Sequence, residues 1–87
     1  MYKNISYRTL ARTLKMLGFK EKKVKGAHII FSNPEFNALI ILPYYTANRM
    51  ITPPHFSMIK RTITEKGILS EEEFYDVFYP KEEKVLS

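Results

Sequence analysis

Two residues past Gly26, in the run Lys25-Gly26-Ala27-His28-Ile29-Ile30-Phe31, stands one of only two histidines in the chain. Imidazole exchanges a proton near neutral pH, so a histidine just past a corner, at a sheet end that a ligand can reach, is a candidate acid/base group. Gly26 belongs with it, because a tight two-residue corner at Lys25-Gly26 needs a positive φ, which glycine adopts freely. The plainer reading makes His28 an ordinary half-exposed strand residue. Lys23 and Lys25 bring positive charge beside this corner, and Lys25, which flanks the turn, is the first candidate for stabilising negative charge on a ligand. Farther along, Tyr44, Tyr45 and Arg49 have the chemistry to stack on bases or grip phosphate, or alternatively to cap a core. Lys60 adds an outward cation on a later helix. The second histidine, His55, stands at a helix entrance, where backbone N–H groups favour anions, although as a neutral loop residue it needs no role.

Charge sharpens the picture. The net charge of +5 is unevenly spread. Residues 1–26 hold eight lysines and arginines against Glu21 alone, a net +7; residues 27–69 carry +2 and residues 70–87 carry −4. A basic first third suits a polyanionic partner, because each neutralised phosphate releases counterions, although a solvated basic face needs no partner. The chain has no cysteine, which excludes disulfides and thiolate metal sites and fits a cytoplasmic protein. Two distant histidines with no acidic cluster at either give no metal site, and no cofactor is implied. Met1-Tyr2-Lys3-Asn4-Ile5-Ser6 lacks the apolar segment of a signal peptide, and the longest apolar run, Ala38 to Leu42, is far short of a membrane span.

The elements that must position these residues follow from the pattern. Eighty-seven residues with 45% hydrophobic and 14% aromatic content make one packed domain, its core about 5–78 and its tail 79–87 frayed. Tyr7, Leu10, Leu14 and Leu17 form one stripe of an amphipathic helix capped by Ser6 and stopped at Gly18. Three short antiparallel strands come next, Phe19–Val24, Ala27–Ser32 and Ala38–Leu42, with a turn at Asn33-Pro34-Glu35-Phe36-Asn37. The second strand places Ala27, Ile29 and Phe31 on one face and His28, Ile30 and Ser32 on the other. Both faces of the third strand are apolar, so once helices cover one face, the other keeps apolar surface for a partner, unless the C-terminal segment covers it. A long connection, Pro43 to Pro54, leads to a helix starting between Pro53 and Ser57, with Phe56, Ile59 and Ile63 as its stripe and Gly67 as its stop. Ser70-Glu71-Glu72-Glu73 reads as a capping box opening a short third helix to Phe78, with Pro80 closing it.

With this α–β–β–β–α order in view, Leu17-Gly18-Phe19, Lys25-Gly26-Ala27-His28-Ile29-Ile30-Phe31, Leu42-Pro43 and Lys66-Gly67-Ile68-Leu69-Ser70-Glu71-Glu72-Glu73-Phe74 resemble the HicA-like (YcfA-type) toxins of bacterial toxin–antitoxin systems. The likeness runs from about Ile5 to Phe78. It implies an α+β fold like that of double-stranded-RNA-binding domains: a three-stranded antiparallel sheet with two helices on one face and RNA approaching the other. It also implies an mRNA interferase, an endoribonuclease that works without a metal ion, restrained by a HicB-type antitoxin. The family's catalytic histidine maps onto His28 and its turn glycine onto Gly26. In that chemistry the nucleophile is the RNA's own 2′-hydroxyl, so the protein supplies an acid/base group, positive charge and a grip on the strand. The competing expectations are a non-catalytic RNA-binding module of the same fold and, with no RNA role, a protein-interaction subunit using its apolar sheet face.

Overall fold

The computed structural model describes residues 4–79. The expected stop at Pro80 and the frayed tail beyond it lie outside the described residues. The fold is α+β: α1 (Tyr7–Met16), β1 (Lys20–Val24), β2 (His28–Asn33), a 3₁₀ turn at Pro34–Phe36, β3 (Ala38–Pro43), α2 (Pro53–Glu65) and α3 (Glu71–Phe78). The strands form one antiparallel sheet in the order β1-β2-β3.

Period-2 alternation sorts the sheet into two faces. Ile29, Phe31 and Asn33 of β2 are buried, as are Ala38, Ile40 and Leu42 of β3. They join the apolar stripes of the helices, Tyr7, Leu10 and Leu14 of α1, Phe56, Ile59 and Ile63 of α2, and Phe74 and Phe78 of α3, in a single core. All three helices therefore contribute to the covered face. The opposite face is open: Leu39 and Ile41 are 56% and 55% exposed. α3 does not cover them, which favours the open apolar face over coverage by the third helix.

Local chemistry fixes the ends of these elements. Ser6 caps α1 by accepting from the Thr9 N–H at 3.2 Å. At the other end, Gly18 has φ +99°. The Gly18 and Phe19 N–H groups return to the carbonyls of Lys15 and Leu14 at 3.0 Å each, and this double closure turns the chain directly into β1. The buried Asn33 side chain then donates to the Leu17 carbonyl at 3.1 Å, tying the end of β2 to the end of α1. Ser70 and Glu73 form the expected reciprocal capping box on α3.

Two local expectations change. The β1–β2 corner is a three-residue connection, Lys25-Gly26-Ala27, closed by Ala27 N–H to Val24 carbonyl at 2.9 Å, with Val24 opposite His28. Gly26 still supplies the positive φ, +78°. The Asn33–Asn37 turn is wound as a 3₁₀ turn, with Asn37 in the left-handed region at φ 54°. Asparagine tolerates that region because its short amide hydrogen-bonds locally.

The long connection after β3 is structural. The carbonyls of Arg49 and Ala47 accept from the N–H groups of Tyr7 and Arg8 at 2.8 and 2.9 Å, and Ile51 N–H donates to the Ile5 carbonyl at 2.9 Å. The first turn of α1 would otherwise leave those donors without partners. Loop carbonyls thus complete the cap that Ser6 begins, and they occupy the N–H groups that an anion would otherwise seek.

Candidate nucleic-acid interface

His28 opens β2, half-buried, with Val24 of β1 and Pro43 of β3 as its direct cross-strand neighbours. Directly opposed residues share a face, so the open face carries Lys20, Lys22 and Val24 from β1, His28, Ile30 and Ser32 from β2, and Leu39, Ile41 and Pro43 from β3. His28 stands at the end of this surface beside the exposed Lys25-Gly26-Ala27 turn. Among the described residues its ring makes no hydrogen bond.

Parity corrects one site residue and adds another. Lys23 lies opposite Ile29, on the helix-covered side of the sheet, and its ammonium sits 4.9 Å from the Tyr7 ring centroid and 5.1 Å from that of Tyr44. It does not share a surface with His28. Lys22, opposite Ile30, does. It occupies the diagonal position relative to His28, about 7–8 Å away and within reach of a long side chain. Proximity in sequence favours Lys23, whereas alternation along Lys20-Glu21-Lys22-Lys23-Val24 identifies Lys22.

The remaining expected contacts divide. Lys25 and Arg49 are exposed, although the Arg49 guanidinium stacks 5.1 Å from the Tyr45 ring. Tyr44 is half-buried against the core. Tyr45 is 1% exposed and cannot stack on a base. Its ring lies parallel to Tyr7 at 6.0 Å, and its hydroxyl is 2.7 Å from Nδ1 of His55 and 3.4 Å from Oγ1 of Thr52. His55 is therefore a structural partner of Tyr45 and not an idle loop residue. Thr52, at the cap position of α2, turns its hydroxyl toward His55 Nδ1 at 3.1 Å. The signal for this cluster is the spacing Thr52-Pro53-Pro54-His55, which puts the cap side chain and the third helical residue on one side of the first turn.

Lys60 belongs to the helical layer and is committed there, 3.1 Å from Glu71 and 3.0 Å from the Tyr75 hydroxyl. Its hydrogen bonds to Tyr75 and then Glu71 raise the ammonium's pKa. The acidic first turn of α3 thus takes up the cation expected to face RNA.

Glu21 is the acid inside the basic N-terminal third. It accepts a hydrogen bond from the Tyr7 hydroxyl and pairs with Lys15 at 2.9 Å. Burial alone would raise its pKa, but the hydrogen bonds from Tyr7 and Lys15 and the charges of Lys15 and Lys23 outweigh burial and hold it low. Burial, followed by the Glu21 bond and charge, pushes the Tyr7 hydroxyl far up, so it remains a donor.

Among the described residues no three His, Asp or Glu side chains converge to hold a metal ion, and no helix is long and apolar enough to cross a membrane. No family model matches the chain, and no curated protein matches it in sequence.

Proposed function

We propose that this chain is an mRNA interferase: a cytoplasmic, metal-independent endoribonuclease in which His28 transfers a proton to or from RNA on the open face of the sheet. The reading rests on one observation above the others, the position of His28 at the uncovered end of the sheet, with no hydrogen bond to its ring among the described residues and Lys22 on the same face. A ribose 2′-hydroxyl attacks the adjacent phosphorus and the bond to the 5′-oxygen breaks. The imidazole takes the proton from the one or gives it to the other, and the lysines offset charge on the phosphate. A HicB-type antitoxin is the proposed protein partner, with the apolar strip at Leu39 and Ile41 as its landing surface. The test is cleavage of a mixed-sequence RNA by wild type and by His28→Ala in excess EDTA. Cleavage by wild type alone supports the proposal.

A second reading has its own support. His28 is flanked across both ladders by apolar residues, Val24 and Pro43, and no second acid/base side chain pairs with it among the described residues. That surroundings suits an RNA-binding module without catalysis. RNA bound equally by wild type and His28→Ala, with no product from either, selects it.

A further inference from the structure

Beside α1 the surface sinks into an open groove of about 530 Å³. One wall is the outer side of the helix, where Arg8, Arg12 and Met16 follow at four-residue spacing. The other is Ala47 of the long connection, held against α1 by the Arg8 N–H, which donates to its carbonyl at 2.9 Å. The neighbouring bonds, Tyr7 N–H to the Arg49 carbonyl at 2.8 Å and Arg49 N–H to the Thr46 carbonyl at 3.1 Å, fix the loop. The groove is therefore built before a ligand arrives. Ala11 and Ala47 leave it open, since neither places more than a methyl group there.

Its charges are uncommitted. Glu21 is the only acid in residues 1–26, and Lys15 and Tyr7 already take it. Among the described residues, the exposed side chains of Arg8 and Arg12 make no ion pair, hydrogen bond or ring contact. Met16, 73% exposed, is the most exposed large apolar side chain among the described residues. Two guanidiniums beside a thioether and a methyl-lined trough suit a ligand that is anionic and apolar at once.

We propose that this groove docks an acidic helical segment of a protein partner, which lays one apolar side chain between the α1 and Ala47 walls and sets carboxylates against Arg8 and Arg12. The two arginines stand one helical turn apart, about 6 Å, the spacing of carboxylates at i and i+4 on a partner helix. Each guanidinium can hold a carboxylate through two hydrogen bonds. RNA fits less well. Tyr7 is 2% exposed, so the groove offers no aromatic face to a base, and no side-chain amide or carboxylate lines it to read a base edge. A phosphate backbone would meet the cations and leave Met16 and the alanines uncovered. The net charge of +5 draws an acidic partner in from a distance. The groove belongs to the helical layer, across the sheet from His28, so the inference stands apart from the activity proposed above.

The probe is a fluorescein-labelled helical peptide with glutamates at i and i+4 and a leucine at i+3 on the same face. It is titrated against the full chain by fluorescence anisotropy, and binding is expected to saturate between about 10 µM and 1 mM. Replacing both glutamates with glutamine, or the leucine with serine, should each weaken binding about tenfold. Arg8→Gln combined with Arg12→Gln should do the same. So should Ala47→Phe, which fills the groove and leaves its charge alone. Arg61→Gln, at an exposed cation on α2, should bind as wild type does. Circular dichroism confirms that the variants fold. A peptide that fails to bind wild type at ~1 mM overturns the proposal. So does binding that survives Ala47→Phe or ignores the loss of the leucine, because the surface is then only a polyanion binder. RNA that displaces the peptide and weakens about tenfold in the double arginine variant would make the groove a nucleic-acid surface, and overturns it too.

Discussion

Lys22 and His28 share the open face of the sheet, set diagonally across the β1–β2 ladder, while Lys23 turns to the helix-covered side. If RNA lies on the open face, these neighbouring lysines have different jobs. Lys22→Ala should weaken RNA binding and reduce the dependence of log K on log salt by about one phosphate contact. Lys23→Ala should leave that slope unchanged and cost about 0.5–1 kcal/mol of stability through its lost contacts with Tyr7 and Tyr44. Salt titration of RNA affinity, beside thermal melts, separates them.

Tyr45→Phe removes the hydroxyl that meets His55 and Thr52 while keeping the buried ring. The expected loss is about 1–3 kcal/mol, because the Nδ1 of His55 and the Thr52 N–H lose a buried partner. For a domain of this size that lowers the melting temperature by several degrees. RNA affinity should not move. A drop in affinity at unchanged stability would return Tyr45 to the binding surface.

Gly18→Ala tests the junction of α1 and β1. At φ +99° an L side chain is strained wherever it points, and the added Cβ would stand 3.3 Å from Nδ2 of the buried Asn33. The expected cost is about 1–3 kcal/mol, read by urea unfolding. Gly26→Ala meets no atom within 4 Å and should cost only its backbone strain. Comparing the two variants isolates the part owed to Asn33.

Glu21 gives a pH dependence with a definite sign. Its folded-state pKa lies below the ordinary value of 4.5, so the folded protein binds fewer protons than the unfolded chain in the acid range. Its contribution to stability is complete above about pH 4.5 and fades as pH falls through the folded value. Tyr7 acts at the other end: its raised pKa contributes below pH 10.0, and that contribution is lost as pH climbs beyond it. Glu21→Gln should flatten the acid limb of a plot of unfolding free energy against pH. A limb that keeps its wild-type slope would remove Glu21 as its source.

Much of the fold is legible in the residues because local signals agree with one another. Ser6, Gly18 and the Ser70–Glu73 box mark helix ends through hydrogen bonds made within a few residues. Strand parity sorts Ile29 and Phe31 from Ile30, but Leu39 through Leu42 are apolar throughout, so only the packed structure shows which face is the core. The site is less legible because its membership depends on long-range register. Lys22 and Lys23 are indistinguishable by type; alternation puts them on opposite faces, and pairing with Ile30 and Ile29 says which face is which. Tyr45 and Lys60 carry binding chemistry, but tertiary partners claim both: the Tyr7 ring and His55 for one, Glu71 and Tyr75 for the other. Likewise the length of the Pro43–Pro54 connection draws attention to it, yet its carbonyls serve α1.

The contrast between β1 and β3 also limits how far association can proceed. A chain with two receptive edges would add subunits at both and grow into a fibril. Here only β3 is an uncharged edge; β1, with Lys20, Lys22 and Lys23, carries the charge that deters strand addition. The basic strand is then a guard against polymerisation, and replacing Lys20 and Lys22 with threonine should leave both edges receptive and promote aggregation at high concentration.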